Sequence, residues 1–305
     1  MLRKNPMKYN WSIIGHEKQL EMIEADLESG NLAHAYLLAG TNSVGKYTVA
    51  KKIAGILQCE NDFCHKCSAC LQVEKGVHLD TIELTGKDSI KIEEVRKLIE
   101  RLSMTRQSKY KILLIQGLER MTTEAANSFL KILEEPPVRT IFIMTTDNVR
   151  MLMPTIISRV RVVKFSSVSS LYLRDKLKSI YPDCDEEIIK EVSLFSMGKT
   201  GKAVHLMENP DARADYLKVY RDIQNFLEYR NIADRFGYVE NLLEDDAKVG
   251  MFFDVLTHVL RSKLLENTTD TERLIKTLSK IGETAMLLRK NVNARLALEN
   301  LMLAI

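Results

Sequence analysis

His34-Ala35-Tyr36-Leu37-Leu38-Ala39-Gly40-Thr41-Asn42-Ser43-Val44-Gly45-Lys46 is the stretch on which the fold turns. An apolar run feeds a loop bounded by two glycines, and the loop feeds a helix that starts at Lys46. That order is the pattern of a phosphate-cradling loop. Backbone N–H groups point into the concavity, the positive end of the helix faces the phosphates, and Lys46 adds a point charge. Gly40 and Gly45 permit the tight turn. The next position has a gap in its chemistry. A working triphosphate loop places there the Ser or Thr hydroxyl that coordinates Mg²⁺, but this chain has Tyr47, whose phenol is too long and bulky for that role. Thr48 follows, yet one residue along a helix turns a side chain by about 100°, so it is a poor substitute. Gly40, Gly45, Lys46 and Thr48 are the expected contacts for ATP or ADP in a degenerate loop; a plain glycine-bounded turn is the alternative.

Outward from the loop, apolar strands alternate with amphipathic helices as far as residue 165, the pattern of a parallel sheet with helices on both faces. Strands are expected at 34–39, 81–84, 111–116, 140–146 and 161–165. Helices are expected at 46–57, 92–103 and 123–133, the last stopped by Pro136-Pro137. After Phe165 the pattern is helical only, and the Ser-rich stretch 166–170 marks a change of domain. One late helix carries Phe252, Val255, Leu256, Val259 and Leu260 on a stripe, and Leu296, Leu298, Leu301 and Leu303 lie near the end. The expected fold class is α/β plus all-α, in three domains: 1–165, 166–208 and 209–305.

Hydrolysis also needs an acidic pair at the end of the third sheet strand, one carboxylate on Mg²⁺ and one polarising water. Ile112-Leu113-Leu114-Ile115 ends instead in Gln116-Gly117, and the first acid, Glu119, is expected to lie away from the site because the chain leaves such a strand quickly; a bulge that displaces Glu119 into place is the alternative. Four of the five cysteines, Cys59, Cys64, Cys67 and Cys70, follow C-x4-C-x2-C-x2-C. Four thiolates so spaced can close around one tetrahedral, structural Zn²⁺. His65 could replace one sulfur, and a set of reduced thiols is the alternative to a metal. Cys184 reads as a packed thiol. Pro154-Thr155-Ile156-Ile157-Ser158-Arg159 precedes the last strand and places Arg159 where it would project from the edge of the sheet domain, toward a neighbouring subunit's γ-phosphate. An ordinary surface arginine is the alternative.

The 305 residues are 45% hydrophobic with a net charge of +3, ordinary for a globular protein and neutral on nucleic acid. No apolar run approaches the ~20 residues of a membrane span, and the charged segment 1–10 leads into no signal-peptide core. A cytoplasmic protein without membrane contact is expected.

Taken together, 32–40, the loop, the cysteine insertion, Ala125-Ala126-Asn127-Ser128-Phe129-Leu130-Lys131-Ile132-Leu133-Glu134-Glu135-Pro136-Pro137, Thr145-Thr146-Asp147 and Ile157-Ser158-Arg159 resemble bacterial clamp-loader subunits of the AAA+ class, in the family's order. The resemblance is dense over residues 10–205, and 291–299 is similar to the end of the family's collar. It implies a RecA-like AAA+ domain, a helical lid and an oligomerising helical collar. It also implies partners: motor (gamma or tau) and delta subunits and, through the complex, the sliding clamp and primed DNA of the DNA polymerase III assembly. Within the family, motors hydrolyse ATP and a stator-type member does not. Tyr47, Gln116-Gly117 and Gly201, where the motor's sensor-two arginine would fall, imply the stator type. Motor chains usually run into a further C-terminal extension, so a length of 305 residues is expected of a stator. The resemblance assigns Arg159 as the trans arginine finger, with Val160 where the motif usually has Cys, and matches Thr145 or Thr146 to sensor one. DNA contact would be through phosphates, from Arg101, Arg106, Lys109 or Lys111. Two readings compete: a hydrolysing motor, and a zinc-dependent DNA-binding adaptor. The adaptor lacks a stacking platform, because Phe63 is the aromatic residue near the cysteines.

Overall fold

The computed structural model of the chain describes residues 7–86, 88–228, 231–265, 271–289 and 292–305. Its packing divides into two units: Met1–Pro182 with Gly198–Lys202, and Asp183–Met197 with Ala203–Ile305.

The first unit is built on five parallel strands: β1 (Ala35–Ala39), β2 (Thr81–Leu84), β3 (Lys111–Ile115), β4 (Thr140–Thr146) and β5 (Arg161–Lys164). Their spatial order is β2-β3-β4-β1-β5. The three central strands are buried along their whole length, so they read as unbroken apolar runs rather than alternating ones. The period of two still decides the faces. Tyr36, Leu38, Ile112, Leu114, Ile141 and Ile143 enter one core with Leu20 and Ile23 of α1 (Glu17–Ser29) and Val49 and Ile53 of α2 (Lys46–Gln58). Leu37, Leu113, Ile115, Phe142 and Met144 enter the other. There they meet Val95 and Leu98 of α4 (Ile92–Ser103) and Phe129 and Leu133 of α5 (Thr123–Glu134). Between α2 and β2 lies α3 (Ser68–Glu74), and α6 (Pro154–Ile157) precedes β5.

The strand order reverses between β1 and its two neighbours, β4 and β5, and ligands in open parallel sheets bind beyond the strand ends at such a point. Gly40 sits there for a packing reason. A Cβ on it would fall 2.1 Å from the Phe165 carbonyl oxygen, so no other residue lets the loop leave β1 beside β5. Gly45 has φ 89° and starts α2 from the left-handed region.

After β5 come α7 (Ser170–Ile180), α8 (Glu186–Ser196) and α9 (Thr200–Glu208). The second unit adds α10 (Pro210–Glu228), α11 (Ile232–Leu243), α12 (Asp246–Leu265), α13 (Thr271–Arg289) and α14 (Ala294–Ala304). Phe252, Val255, Leu256, Val259 and Leu260 of α12 all enter its core, as their helical spacing predicts. Of the four terminal leucines, Leu298 and Leu301 are buried, whereas Leu296 and Leu303 are exposed. Asn291 of the 291–299 stretch lies outside the described residues. Among the described residues no helix is long and apolar enough to cross a membrane.

Candidate nucleotide cavity and cysteine module

A cavity of about 520 Å³ opens beyond the ends of β1, β3 and β4, and its lining includes Gly45, Lys46, Thr48, Gln116, Glu119, Arg120 and Asp147. Three of the four expected nucleotide contacts therefore meet there: Gly45, Lys46 and Thr48. The fourth, Gly40, contributes its carbonyl. The Lys46 ammonium is buried and donates to the Gly40 and Thr41 carbonyls at 2.8 and 2.7 Å and to Asp147 Oδ1 at 2.8 Å. Phosphate must compete with Asp147 for that cation.

The loop itself is braced from behind. His16 Nε2 lies 3.1 Å from the Val44 carbonyl oxygen, which also accepts from the Thr200 hydroxyl at 3.2 Å. Burial lowers the His16 pKa, which favours the neutral ring in that position. The Lys202 N–H donates to the Ser43 carbonyl at 3.1 Å, and a Cβ on Gly201 would fall 2.8 Å from the same oxygen. Residue 201 is thus pressed against the loop, with no room for a longer side chain in this arrangement.

At the position of the missing Mg²⁺ ligand, Tyr47, part of the cavity lining, donates its hydroxyl to Glu83 Oε2 at 2.6 Å. Burial, reinforced by the Glu83 carboxylate, raises the phenol pKa and keeps it neutral. Lys51 reaches the same Glu83 oxygen at 3.3 Å.

At the end of β3, Gly117 has φ 74°, and its N–H donates to the Thr145 hydroxyl at 3.1 Å. That contact puts Thr145 in the cavity, while Thr146 is fully buried and accepts from the Asn148 N–H. Arg120 folds back over Gly117, donating to the carbonyls of Gly117, Gly86 and Gln116. A Cβ at 117 would lie 2.4 Å from Arg120 Nε. The place of the second acid is taken by a guanidinium. Glu119 corrects the sequence expectation: the 3-10 turn Leu118–Arg120 returns it to the cavity, where its Oε1 accepts from the Asp147 N–H at 3.0 Å. Its Oε2 is shut from solvent without a partner.

Arg159 is not among the cavity's lining residues. It follows α6, donates to the Thr155 carbonyl and Ser158 hydroxyl, and pairs with Glu134 Oε1 at 2.7 Å. Both partners are substantially exposed, so the pair is worth under about 1 kcal/mol and does not lock the guanidinium.

The cysteine module fits a tetrahedral metal. Sulfurs 2.3 Å from a common centre stand about 3.8 Å apart; Cys59 to Cys67 is 3.8 Å and Cys64 to Cys70 is 3.9 Å, and all four sulfurs lie within 4.8 Å of one another. The Lys66 N–H, with that of Cys67, lowers the Cys64 thiol to about 6, while burial pushes Cys70 up. A metal cation bound there would offset that burial cost. Asp62, Phe63 and His65 adopt positive φ, and Phe63 packs on Gly55, where a Cβ would lie 2.4 Å from its ring. His65 points its Nδ1 at Glu74 instead of replacing a sulfur.

The proposed DNA contacts divide. Lys111 does not face solvent as a phosphate contact must: it is buried, and its ammonium donates to the Arg101, Leu102 and Met104 carbonyls at the end of α4. Arg101 and Lys109 are exposed.

The sheet order and the braced loop define a RecA-like, AAA+ type of P-loop protein. Residues 15–169, just over half the chain, match a family described as "DNA polymerase III, delta subunit". The gamma subunit of DNA polymerase III from Buchnera aphidicola subsp. Acyrthosiphon pisum is 33% identical over 218 residues, 68% of this chain and 60% of its own. The delta' subunit from Bacillus subtilis is 30% identical over 210 residues, 66% and 63%. A solved gamma subunit-related protein from Thermotoga maritima is 21% identical with a TM-score of 0.46, covering 92% of this chain and 97% of that one. This chain spans about three fifths of the first two relatives' lengths. It belongs to the clamp-loader family of DNA polymerase III.

Proposed function

We propose that this chain is a delta-prime-type subunit: a stator without ATPase activity of its own, which completes the clamp loader alongside gamma or tau and delta subunits. In that role Arg159 reaches the ATP site of a neighbouring motor, and the assembled complex opens the sliding clamp and places it on primed DNA in the cytoplasm. The observation that carries the reading is the Tyr47 hydroxyl committed to Glu83 where a motor holds Mg²⁺. Gly117 beneath Arg120 and Gly201 against Ser43 support it, because each removes another part of the hydrolytic machinery. Residues 1–165 would be the nucleotide-fold domain, 166–208 the lid and 209–305 the collar. Cys59, Cys64, Cys67 and Cys70 would hold a structural Zn²⁺, which supplies a fixed crosslink and no chemistry.

A gamma- or tau-like motor is the second reading, favoured by the higher identity to a gamma subunit than to a delta' subunit. Mg²⁺-dependent ATP turnover by the isolated full chain separates the two. The stator reading predicts no turnover above background and no effect of Lys46→Ala; turnover that this variant abolishes would establish the motor.

A further inference from the structure

The cavity has lost both places where a metal is held, yet it keeps its phosphate loop and has acquired a second cation. Tyr47 Oη is turned to Glu83, and the guanidinium of Arg120 lies over Gly117 where an acid would sit. The described partners of Arg120 are the carbonyl oxygens of Gly86, Gln116 and Gly117, which are neutral. No described ion pair neutralises it, although Asp88, Glu93 and Glu94 line a second cavity with it; on its other side it faces the cavity it shares with Lys46, where it can act on an anion.

The carboxylates present do not rebuild a metal site. Asp147 is paired with Lys46 and Glu119 Oε1 accepts from the Asp147 N–H, which leaves the buried, unpartnered Glu119 Oε2 as the oxygen a cation would have to reach past Arg120. A divalent cation entering the cavity would face the Arg120 guanidinium on the side where a motor offers a carboxylate. Like charges repel there, where the motor's opposite charges attract.

We propose that this cavity binds a nucleoside di- or triphosphate without Mg²⁺, with the Arg120 guanidinium supplying the cationic contact that the metal supplies in a motor. Guanidinium groups suit the role, because their planar fork meets phosphate oxygens two at a time. The side chain reaches the phosphates by exchanging its carbonyl partners for them, and Lys46 does so by releasing Asp147. No bond to phosphorus is made or broken. The inference rests on the hydrolysis-deficient reading and adds to it the ligand and the residue that holds it.

The test is a fluorescence titration of the full-length chain with N-methylanthraniloyl-ATP and -ADP in Mg²⁺-free buffer, repeated with millimolar Mg²⁺. No chelator is used, so that the cysteine module keeps any metal it holds. The expected dissociation constants agree within about twofold with and without Mg²⁺, while Arg120→Gln weakens binding about tenfold and Arg120→Lys recovers part of that loss. The single Trp11, buried in the same unit, reports by its own fluorescence that each variant is folded. Binding that tightens tenfold or more with Mg²⁺, or falls with Glu119→Gln but not with Arg120→Gln, would overturn the proposal in favour of a metal held by Glu119 and Asp147. No binding of either nucleotide would overturn it as well. ATP turnover in the same samples would overturn the stator reading itself, whereas Mg²⁺-dependent binding without turnover sinks the Arg120 assignment alone.

Discussion

Gly117→Ala asks whether the position of the second acid is closed by the backbone itself. Two costs can be worked from the structure. Residue 117 has φ 74°, and a side chain in the left-handed region costs roughly 1–2 kcal/mol. The added Cβ would also meet Arg120 Nε at 2.4 Å and Nη2 at 3.0 Å. The arginine must then leave its carbonyl partners. Such bonds to a charged donor are worth about 1.5–3 kcal/mol, reduced to roughly 1 kcal/mol here because the freed guanidinium can be hydrated. The variant should therefore lose about 2–3 kcal/mol of stability. In an Arg120→Ala background the same change should cost only the backbone share, about 1–2 kcal/mol, leaving a coupling near 1 kcal/mol. Urea unfolding followed by the fluorescence of Trp11, the single tryptophan, which is buried in the same unit, reads all four chains. Equal costs in both backgrounds would refute the closure by Arg120. A cost under about 0.5 kcal/mol in the wild type would refute the backbone argument too.

Purified chain should contain one zinc per molecule by native mass spectrometry, and Cys64→Ser should lose it and expose residues 59–67 to protease while Trp11 stays buried. Metal-free wild type with the same protease resistance would contradict this. Burial, with help from Asp26, pushes Tyr36 up to about 12. Folding therefore favours its neutral phenol: the contribution is complete below pH 10 and is lost as pH rises through 12. Stability should fall by about 2–3 kcal/mol over that window from Tyr36 alone, and Tyr36→Phe should flatten the decline. An unchanged alkaline slope in the variant would reject the assignment.

The sheet was legible because its central strands are short, fully buried runs bounded by turns, and their expected limits differ from the observed ones by a residue at most. Helix α1 was not anticipated. Leu20, Ile23 and Leu27 have helical spacing, but the helix is strongly acidic and starts from His16 in a left-handed conformation, so no usual start signal marks it. The degenerate loop could be read from Tyr47 alone. What replaced the lost chemistry could not, because Glu83 lies 36 residues from Tyr47 and meets it only through the folding of α2 beside β2. Arg120 was hidden for a different reason. Its role depends on Gly117 having no side chain and on a single 3-10 turn that reverses the chain, and the same turn brings Glu119 back to the cavity. The tight turn explains Gly40 only in part; its necessity is steric, set by Phe165 just past the neighbouring strand. Lys111 looked like one basic residue among four, and only its burial under the end of α4 separates it from the others.

A stator acts through its neighbours' ATP sites rather than its own. The decisive comparison is ATP turnover by a loader reconstituted from this chain with gamma and delta subunits, sliding clamp and primed DNA. It is made with the wild type, with Arg159→Ala, and with this chain alone. An arginine finger contributes about 10³–10⁵ in rate, and Arg159 is held only by an exposed pair with Glu134. Turnover should appear only in the assembly and fall at least tenfold with the variant, while gel filtration still finds the complex intact. Turnover by the isolated chain, or an intact complex indifferent to the loss of Arg159, would rule out a stator that donates this arginine.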